Sequence, residues 1–172
     1  MWIETQRLIL REFQQEDAQK LALILANPKV MKFSPVGILS ELQTKEKVEG
    51  FITSYEKHGF GKWAVITKDS NELIGYCGIA LEEIDNKDER EIGYRLDSNF
   101  WGKGLATEAA LAALNYAFEQ FKFPYILGIV ERSNASSVRV LEKLAMKYKR
   151  ETIFHGIKMD VYQKNFIEHT AK

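Results

Sequence analysis

Apolar residues in this chain follow two periods, and each period predicts a different kind of element. Leu8-Ile9-Leu10-Arg11 predicts a short first strand. Glu16 and Asp17 then open a helix that gathers Ala18, Leu21, Ile24 and Leu25 on one face. Asn27-Pro28 ends it, because a residue before proline is pushed out of the helical region. Ser34-Pro35-Val36-Gly37 reads as a loop. Val48, Phe51, Ile52 and Tyr55 recur at helical spacing, which predicts a second helix over roughly Thr44 to Lys57, stopping near His58-Gly59.

The middle of the chain switches to β patterning. Trp63 to Thr67 and Leu73 to Ala80 read as two strands joined by the polar turn Lys68-Asp69-Ser70-Asn71. Asp85-Asn86-Lys87-Asp88 turns the chain into a third strand, Glu89 to Leu96. From about Leu105 to Phe121 the chain is apolar on most sides, with Leu111, Leu114, Phe118 and Phe121 as the main stripe, which predicts a helix buried against a sheet. Pro124 to Val130 is β-rich, Asn134 to Leu144 is an amphipathic helix, and Ile153 to Tyr162 reads as a strand pair around His155-Gly156. The order is β-α-α-β-β-β-α-β-α-β-β, an α/β (α+β) arrangement with helices on both faces of one mixed sheet.

Composition narrows the class without naming a function. A chain of 172 residues, 45% hydrophobic, fits one domain, residues 1–172, with a substantial core. Its 24 Lys and Arg balance 24 Asp and Glu, so no general attraction to nucleic acid or to an anionic membrane is expected. The single cysteine, Cys77, forms no intrachain disulfide, and an apolar strand around it reads as a buried small hydrophobe. His58, His155 and His169 lie far apart, and none has metal-ligand spacing with another His or Cys, so no metal is expected; His155 reads as a turn residue. The N-terminal segment is not built like a signal peptide, and no apolar run approaches the length of a membrane span. These readings point to the cytoplasm.

The chemistry-bearing stretch is Phe100-Trp101-Gly102-Lys103-Gly104-Leu105-Ala106-Thr107-Glu108. It follows a strand and opens a helix. The first turn of a helix has unpartnered N–H groups and a dipole that favours anions, so a phosphate-bearing cofactor fits there. A P-loop is excluded because Lys103 is followed by Gly104 rather than Ser or Thr. A dinucleotide fingerprint fits poorly: Thr107 stands where a third Gly or Ala belongs, and no acidic residue follows about 20 positions on at a strand end.

Trp101 to Glu108 resembles the acetyl-CoA pyrophosphate loop of the GNAT N-acetyltransferase superfamily, whose pattern is Gln/Arg-x-x-Gly-x-Gly/Ala. Gly104 and Ala106 match its last two fixed positions, and Trp101 departs from the usual Gln or Arg. Three further stretches resemble the branch that includes the ribosomal-protein N-terminal acetyltransferases: Glu4 to Arg11 with Asp17, Glu91-Ile92-Gly93-Tyr94, and Asn134 to Leu144. Ala145-Met146 stands where that last helix is normally followed by Gly-Phe or Gly-Met.

The resemblance implies an acyl-CoA N-acyltransferase fold with a mostly antiparallel sheet of about seven strands and four flanking helices. It implies acetyl-CoA as cofactor, with Trp101, Gly102, Lys103, Gly104, Leu105, Ala106 and Thr107 at the pyrophosphate. It places the pantetheine arm along Tyr94, Arg95 and Leu96, in a gap where two strands part, and brings Asn134 and Ser137 to the cofactor. Asn134 also reads as a helix N-cap.

Strand alternation puts Glu89, Glu91, Gly93 and Arg95 on one face, and Glu91 is the expected base or ammonium anchor, with Glu89 or a water relay as alternatives. The plainer reading of Glu91 is a carboxylate paired with Arg90 or Arg95. Many relatives place an acid tyrosine where Leu141 stands; Ser137 is the expected donor to the leaving thiolate. The expected reaction is direct acetyl transfer to a primary amine, either a protein N-terminus or a small molecule, with Phe33, Phe60 and Trp63 as candidate walls of the acceptor site. A homodimer is a family-level expectation. The competing class is a non-catalytic acyl-CoA sensor on the same fold.

Overall fold

Local sequence signals set most element ends in the computed structural model, which describes residues 1–167. Two short strands, β1 (Trp2–Glu4) and β2 (Leu8–Arg11), lead into α1 (Asp17–Leu25) and the four-residue α2 (Pro28–Met31). Pro28 does not merely end α1. It occupies the first turn of α2, where a missing N–H costs nothing, and the Asn27 side chain caps that turn through the Lys29 N–H. The next helix, α3 (Glu41–His58), starts earlier than its apolar spacing predicts, because Ser40 and Gln43 form a reciprocal capping box ahead of the periodic residues. It ends at Gly59 in the left-handed conformation.

Strands β3 (Lys62–Thr67), β4 (Leu73–Ile84) and β5 (Lys87–Leu96) form an antiparallel meander. Asp85 and Asn86 both take positive φ and close the β4–β5 hairpin. A short 3-10 turn (Ser98–Phe100) leads to α4 (Leu105–Phe121), then β6 (Tyr125–Val130), α5 (Ala135–Lys143), β7 (Lys147–Phe154) and β8 (Ile157–Asn165). The described residues thus hold eight strands and five helices, in one sheet ordered β1-β2-β3-β4-β5-β6-β8-β7. No helix among them is long and apolar enough to cross a membrane.

Two cores cover the two faces of this sheet. Leu8, Leu10, Trp63, Val65, Ile79 and Ile92 pack under α4. Ala64, Ile66 and Tyr76 pack under α1 and α3, with Leu21, Leu25 and Val48. The buried stripe of α4 runs through Ala109, Ala110, Ala113, Leu114 and Ala117, all 0% exposed, whereas Leu111 is 42% exposed. The expected Leu111 stripe is therefore corrected: small side chains let the helix backbone lie close to the sheet, and the bulky leucine turns outward.

The break in the sheet positions the functional site. β5 pairs with β4 along its whole length, from Lys87 to Leu96. It pairs in parallel with β6 at one register point only, Glu91 with Leu127. Beyond Glu91 the two strands part, and the β6-facing edge of Ile92 to Leu96 has no strand partner among the described residues.

Candidate active site

The glycine loop sits at the mouth of that parting. Asp97 caps the 3-10 turn by accepting from the Asn99 N–H at 3.0 Å, and the Trp101 indole N–H donates to the Leu96 carbonyl at 3.0 Å. These bonds fasten the loop to the end of β5. Gly102 and Gly104 both adopt φ +75°, and a Cβ on Gly102 would meet nothing within 4 Å. The glycines are required by backbone conformation rather than by crowding. Among the described residues the N–H groups of Gly102, Lys103, Gly104, Leu105, Ala106 and Thr107 have no hydrogen-bond partner. Unpartnered donors in the loop and first turn of α4, five of them on residues that line the cavity, are an arrangement suited to an anion. The Lys103 side chain is exposed, its ammonium 5.3 Å from the Phe100 ring centroid.

The opening segment braces this loop. Arg7 donates from Nε to the Glu108 carboxylate at 2.8 Å and from Nη1 to the Lys103 carbonyl at 2.9 Å. The Arg7 backbone N–H and the Thr5 hydroxyl also donate to Glu108. Burial pushes the Glu108 carboxyl up, but these donors outweigh it and hold it below its ordinary value. The resemblance covered Thr5 and Arg7 without giving them a role.

From the loop a cavity of about 900 Å³ runs between β5, β6 and α5 and opens on the far face toward α2 and α3. Of the residues expected at the cofactor, Tyr94, Arg95, Leu96, Trp101, Gly102, Gly104, Leu105, Ala106, Thr107, Asn134 and Ser137 all line it. Asn134 caps α5, accepting from the Ser137 N–H at 3.3 Å. The Tyr94 hydroxyl lies 2.8 Å from the Ser137 hydroxyl, joining β5 to α5 across the gap. Burial pushes the Tyr94 phenol up, and its bond with Ser137 recovers part of that shift. Leu141 is 2% exposed in the core, so the side chain at the usual acid position is fully absorbed by packing. A phenol does stand at the gap, supplied by β5 rather than α5, a link that strand alternation alone could not reveal.

On the opposite face, Lys62, Gly78 and Gly93 lie side by side across β3, β4 and β5. The two glycines let the Lys62 side chain lie flat over the sheet and reach the Glu91 carboxylate at 3.3 Å. A Cβ on Gly93 would run into the Lys62 ammonium. The expected partner of Glu91 is thus corrected. Arg90 instead stacks over Phe123, 4.6 Å from its ring centroid, and Arg95 donates to the Tyr76 hydroxyl. Burial raises the Glu91 carboxyl, Lys62 partly offsets this, and Glu82 adds to it. Glu89 accepts from the Tyr125 hydroxyl at 2.9 Å and is not among the cavity's lining residues.

Of the three expected acceptor walls, Phe33 lines the cavity on its α2 side, but Phe60 and Trp63 do not: both are buried in the core beneath α4. Tyr76 takes their place as wall. Cys77 is fully buried, and burial pushes its thiol up to about 12, which fits a packing role. His155 takes a positive φ in the β7–β8 turn and reaches the cavity rim. His58 packs on Phe60, and His169 lies outside the described residues. Among the described residues no group of three or more His, Cys, Asp or Glu is placed to hold a metal ion.

Comparison with known proteins agrees with this geometry. Residues 7–147 match the family model described as "Acetyltransferase (GNAT) domain". The uncharacterized N-acetyltransferase YnaD of Bacillus subtilis is 32% identical over 154 residues, covering 90% of this chain and 86% of that protein. A GNAT-family acetyltransferase structure from Bacillus anthracis superposes with a TM-score of 0.80 at 28% identity, over 96% of this chain and 98% of the other. A ribosomal L7/L12 α-N-protein acetyltransferase, solved in complex with coenzyme A, shares the fold with a TM-score of 0.80 at 20% identity, over 96% and 98%. The match across most of the chain, on a sheet that parts beside a glycine loop, has one reading: the chain belongs to the GNAT acetyltransferase family and is an N-acetyltransferase.

Proposed function

We propose that residues 1–172 act as one domain that binds acetyl-CoA in the β5–β6 gap and transfers its acetyl group directly to a primary amine, with no covalent enzyme intermediate. The observation that carries this is the parting of β5 from β6 beyond Glu91, next to six unpartnered N–H groups at the start of α4. The residues present fit the cofactor. Gly102 and Gly104 bring bare backbone to the loop surface. Arg139 and Lys143 on α5 add positive charge along the cavity, and Lys103 adds it at the loop itself. Between Ile92 and Leu96, whose carbonyl Trp101 already holds, the strand edge offers main-chain groups to an extended amide-bearing arm, as an added strand would use them.

Bound acetyl-CoA supplies an activated acyl group; the chain supplies position, proton transfer and polarisation. Holding two reactants in one cavity removes entropy otherwise lost in their encounter, worth up to about 7–11 kcal/mol. A β5 N–H beyond Ile92, where the strand has no partner on its β6 side, would polarise the carbonyl under attack. Glu91, its carboxyl raised by burial, accepts a proton from the acceptor ammonium, directly or through water. With acetyl-CoA bound, the N–C bond would form as the C–S bond breaks, and the second proton of the nitrogen would pass by way of the Ser137 hydroxyl, bonded to Tyr94, to the leaving thiolate. Cys77, reduced and inert in the core, has no part in the transfer and suits a cytoplasmic protein.

The test is two-substrate kinetics with a panel of primary amines, followed by thiol release. Intersecting double-reciprocal lines support direct transfer in a ternary complex. Parallel lines, with an acetylated enzyme isolable without acceptor, would refute it.

A further inference from the structure

The acceptor end of the cavity holds cations that the protein does not neutralise. Arg95 donates from Nε to the Tyr76 hydroxyl at 3.2 Å and from Nη1 to the Val30 carbonyl at 3.0 Å. Both partners are neutral. They hold the half-buried guanidinium in one orientation and leave Nη2 uncommitted. Lys47, reaching in from α3, places its ammonium 5.7 Å from the Tyr76 ring centroid and makes no hydrogen bond among the described residues. Lys29 and Lys32 line the same wall from α2. Among the described residues no carboxylate lies within 4.0 Å of Arg95, Lys47, Lys29 or Lys32, although Lys62 in the same cavity is paired with Glu91. The other acidic residues among the described residues that line the cavity are Glu82 and Glu131.

Two of these cations, together with Lys62, act on Tyr76. Full burial pushes its phenol up, yet Arg95, Lys47 and Lys62 together outweigh burial and bring it below its ordinary value. A half-buried, pre-oriented guanidinium without a counter-charge is costly to maintain, and an incoming anion offsets that cost through charge-assisted hydrogen bonds. The geometry points to an acceptor that carries an anionic group as well as its amine, with Arg95 and Lys47 holding the anion and the amine directed at Glu91. This inference rests on the reading that places the reacting amine beside Glu91.

The spacing narrows the class further. Glu91 and Arg95 share one strand face four residues apart, about 13 Å between Cα atoms at the usual rise. That span favours an acceptor whose amine and carboxylate stand several bonds apart over a free α-amino acid, in which both share one carbon. An ω-amino acid meets that condition, and so does a peptide amino terminus followed by an acidic side chain. Both present the same chemistry, a primary amine and a displaced carboxylate.

Two matched pairs test it: 4-aminobutyrate against its amide, and short peptides beginning Ala-Glu against Ala-Gln. Each is assayed by thiol release with the wild type, Lys47→Gln and Arg95→Gln. The acidic member of at least one pair is expected to show about tenfold higher kcat/KM, mainly through KM, and the responding pair identifies the source. Both variants are expected to shrink that preference severalfold. Lys47→Gln removes no hydrogen bond, so it remains informative even where Arg95→Gln fails to fold.

Equal rates for acid and amide in both pairs, or a preference unchanged in Lys47→Gln, would overturn the inference. Equilibrium binding of the same compounds to the coenzyme A-loaded protein separates the two claims. Acid-selective binding that Lys47→Gln weakens, without turnover, counts against the proposed reaction and upholds the anion site. Equal binding of acid and amide overturns the anion site.

Discussion

Arg7 holds Glu108 by two routes, its guanidinium Nε at 2.8 Å from one carboxylate oxygen and its backbone N–H at 2.8 Å from the other. Arg7 precedes β2, and Glu108 stands in the first turn of α4, so this clamp ties the first strands of the sheet to the loop proposed to bind pyrophosphate. The third Arg7 bond, to the Lys103 carbonyl, reaches into the loop itself. Arg7→Ala is expected to weaken acetyl-CoA binding about 5- to 20-fold, about 1–2 kcal/mol for charge-assisted bonds at a partly exposed site, with a small fall in thermal midpoint. Calorimetric titration checks this; unchanged affinity would mean the loop holds its shape unaided.

The same clamp has a defined pH dependence. Glu108 is held below its ordinary value in the folded protein, so it adds stability above the unfolded-state value. That stability is lost as pH falls through the lower, folded-state value. Acid unfolding of wild type is expected to be steeper than that of Glu108→Gln, which is followed by circular dichroism against pH.

Gly104→Ala and Gly104→Glu separate backbone strain from chemistry. At φ +75° any L side chain is strained by about 1–2 kcal/mol, but a Cβ there meets only the Arg7 Nη2, at 3.7 Å. The alanine variant is expected to fold with a modest loss of stability. The glutamate variant places a carboxylate where the anion would sit and is expected to lose acetyl-CoA binding while its circular dichroism stays native. Retained affinity in folded Gly104→Glu would remove the loop from the cofactor site.

Ser137 and Tyr94 act as a unit if the thiolate takes its proton through them. Ser137→Ala is expected to lower kcat by about 10- to 100-fold while acetyl-CoA affinity changes little. Tyr94→Phe is expected to cost less, and the double variant no more than Ser137→Ala alone, because both remove one relay. Fully additive losses in single-turnover rates would show that the two hydroxyls serve independent roles.

Glu91 has the opposite pH sign to Glu108. Burial raises its carboxyl in the folded state, so the rising limb of kcat/KM is expected above the ordinary carboxylate range. Glu91→Gln should remove that limb. It also leaves the Lys62 ammonium, 10% exposed, without its counter-charge, which destabilises the fold by about 3 kcal/mol. Lys62→Met in the same background should recover stability without recovering the limb. An unshifted pH profile in Glu91→Gln would transfer the base role to water.

Local signals and non-local ones were unequally legible in the chain. The loop and α4 were readable because Gly-x-Gly before an alanine-rich run is a local arrangement. Asn134 and Ser137 were readable because capping acts over three residues. The contacts that join distant segments were not. Tyr94 meets Ser137 across 43 positions and Lys62 meets Glu91 across 29, and no spacing rule encodes either. The parting of β5 from β6 depends on which residues fail to pair, which no single segment records. Periodicity also misjudged α4, since a helix that is apolar nearly all round does not declare which face meets the sheet. Strand β1 was missed because three residues at a sheet edge, with Trp2 60% exposed, leave almost no pattern.

Calorimetric titration of the protein with acetyl-CoA, using NAD as control, tests most directly whether the gap beside the glycine loop binds acetyl-CoA. Saturable binding of acetyl-CoA in the micromolar range, with no heat from NAD, is the predicted result. Folded protein that binds no acetyl-CoA, or that binds NAD equally well, would contradict it.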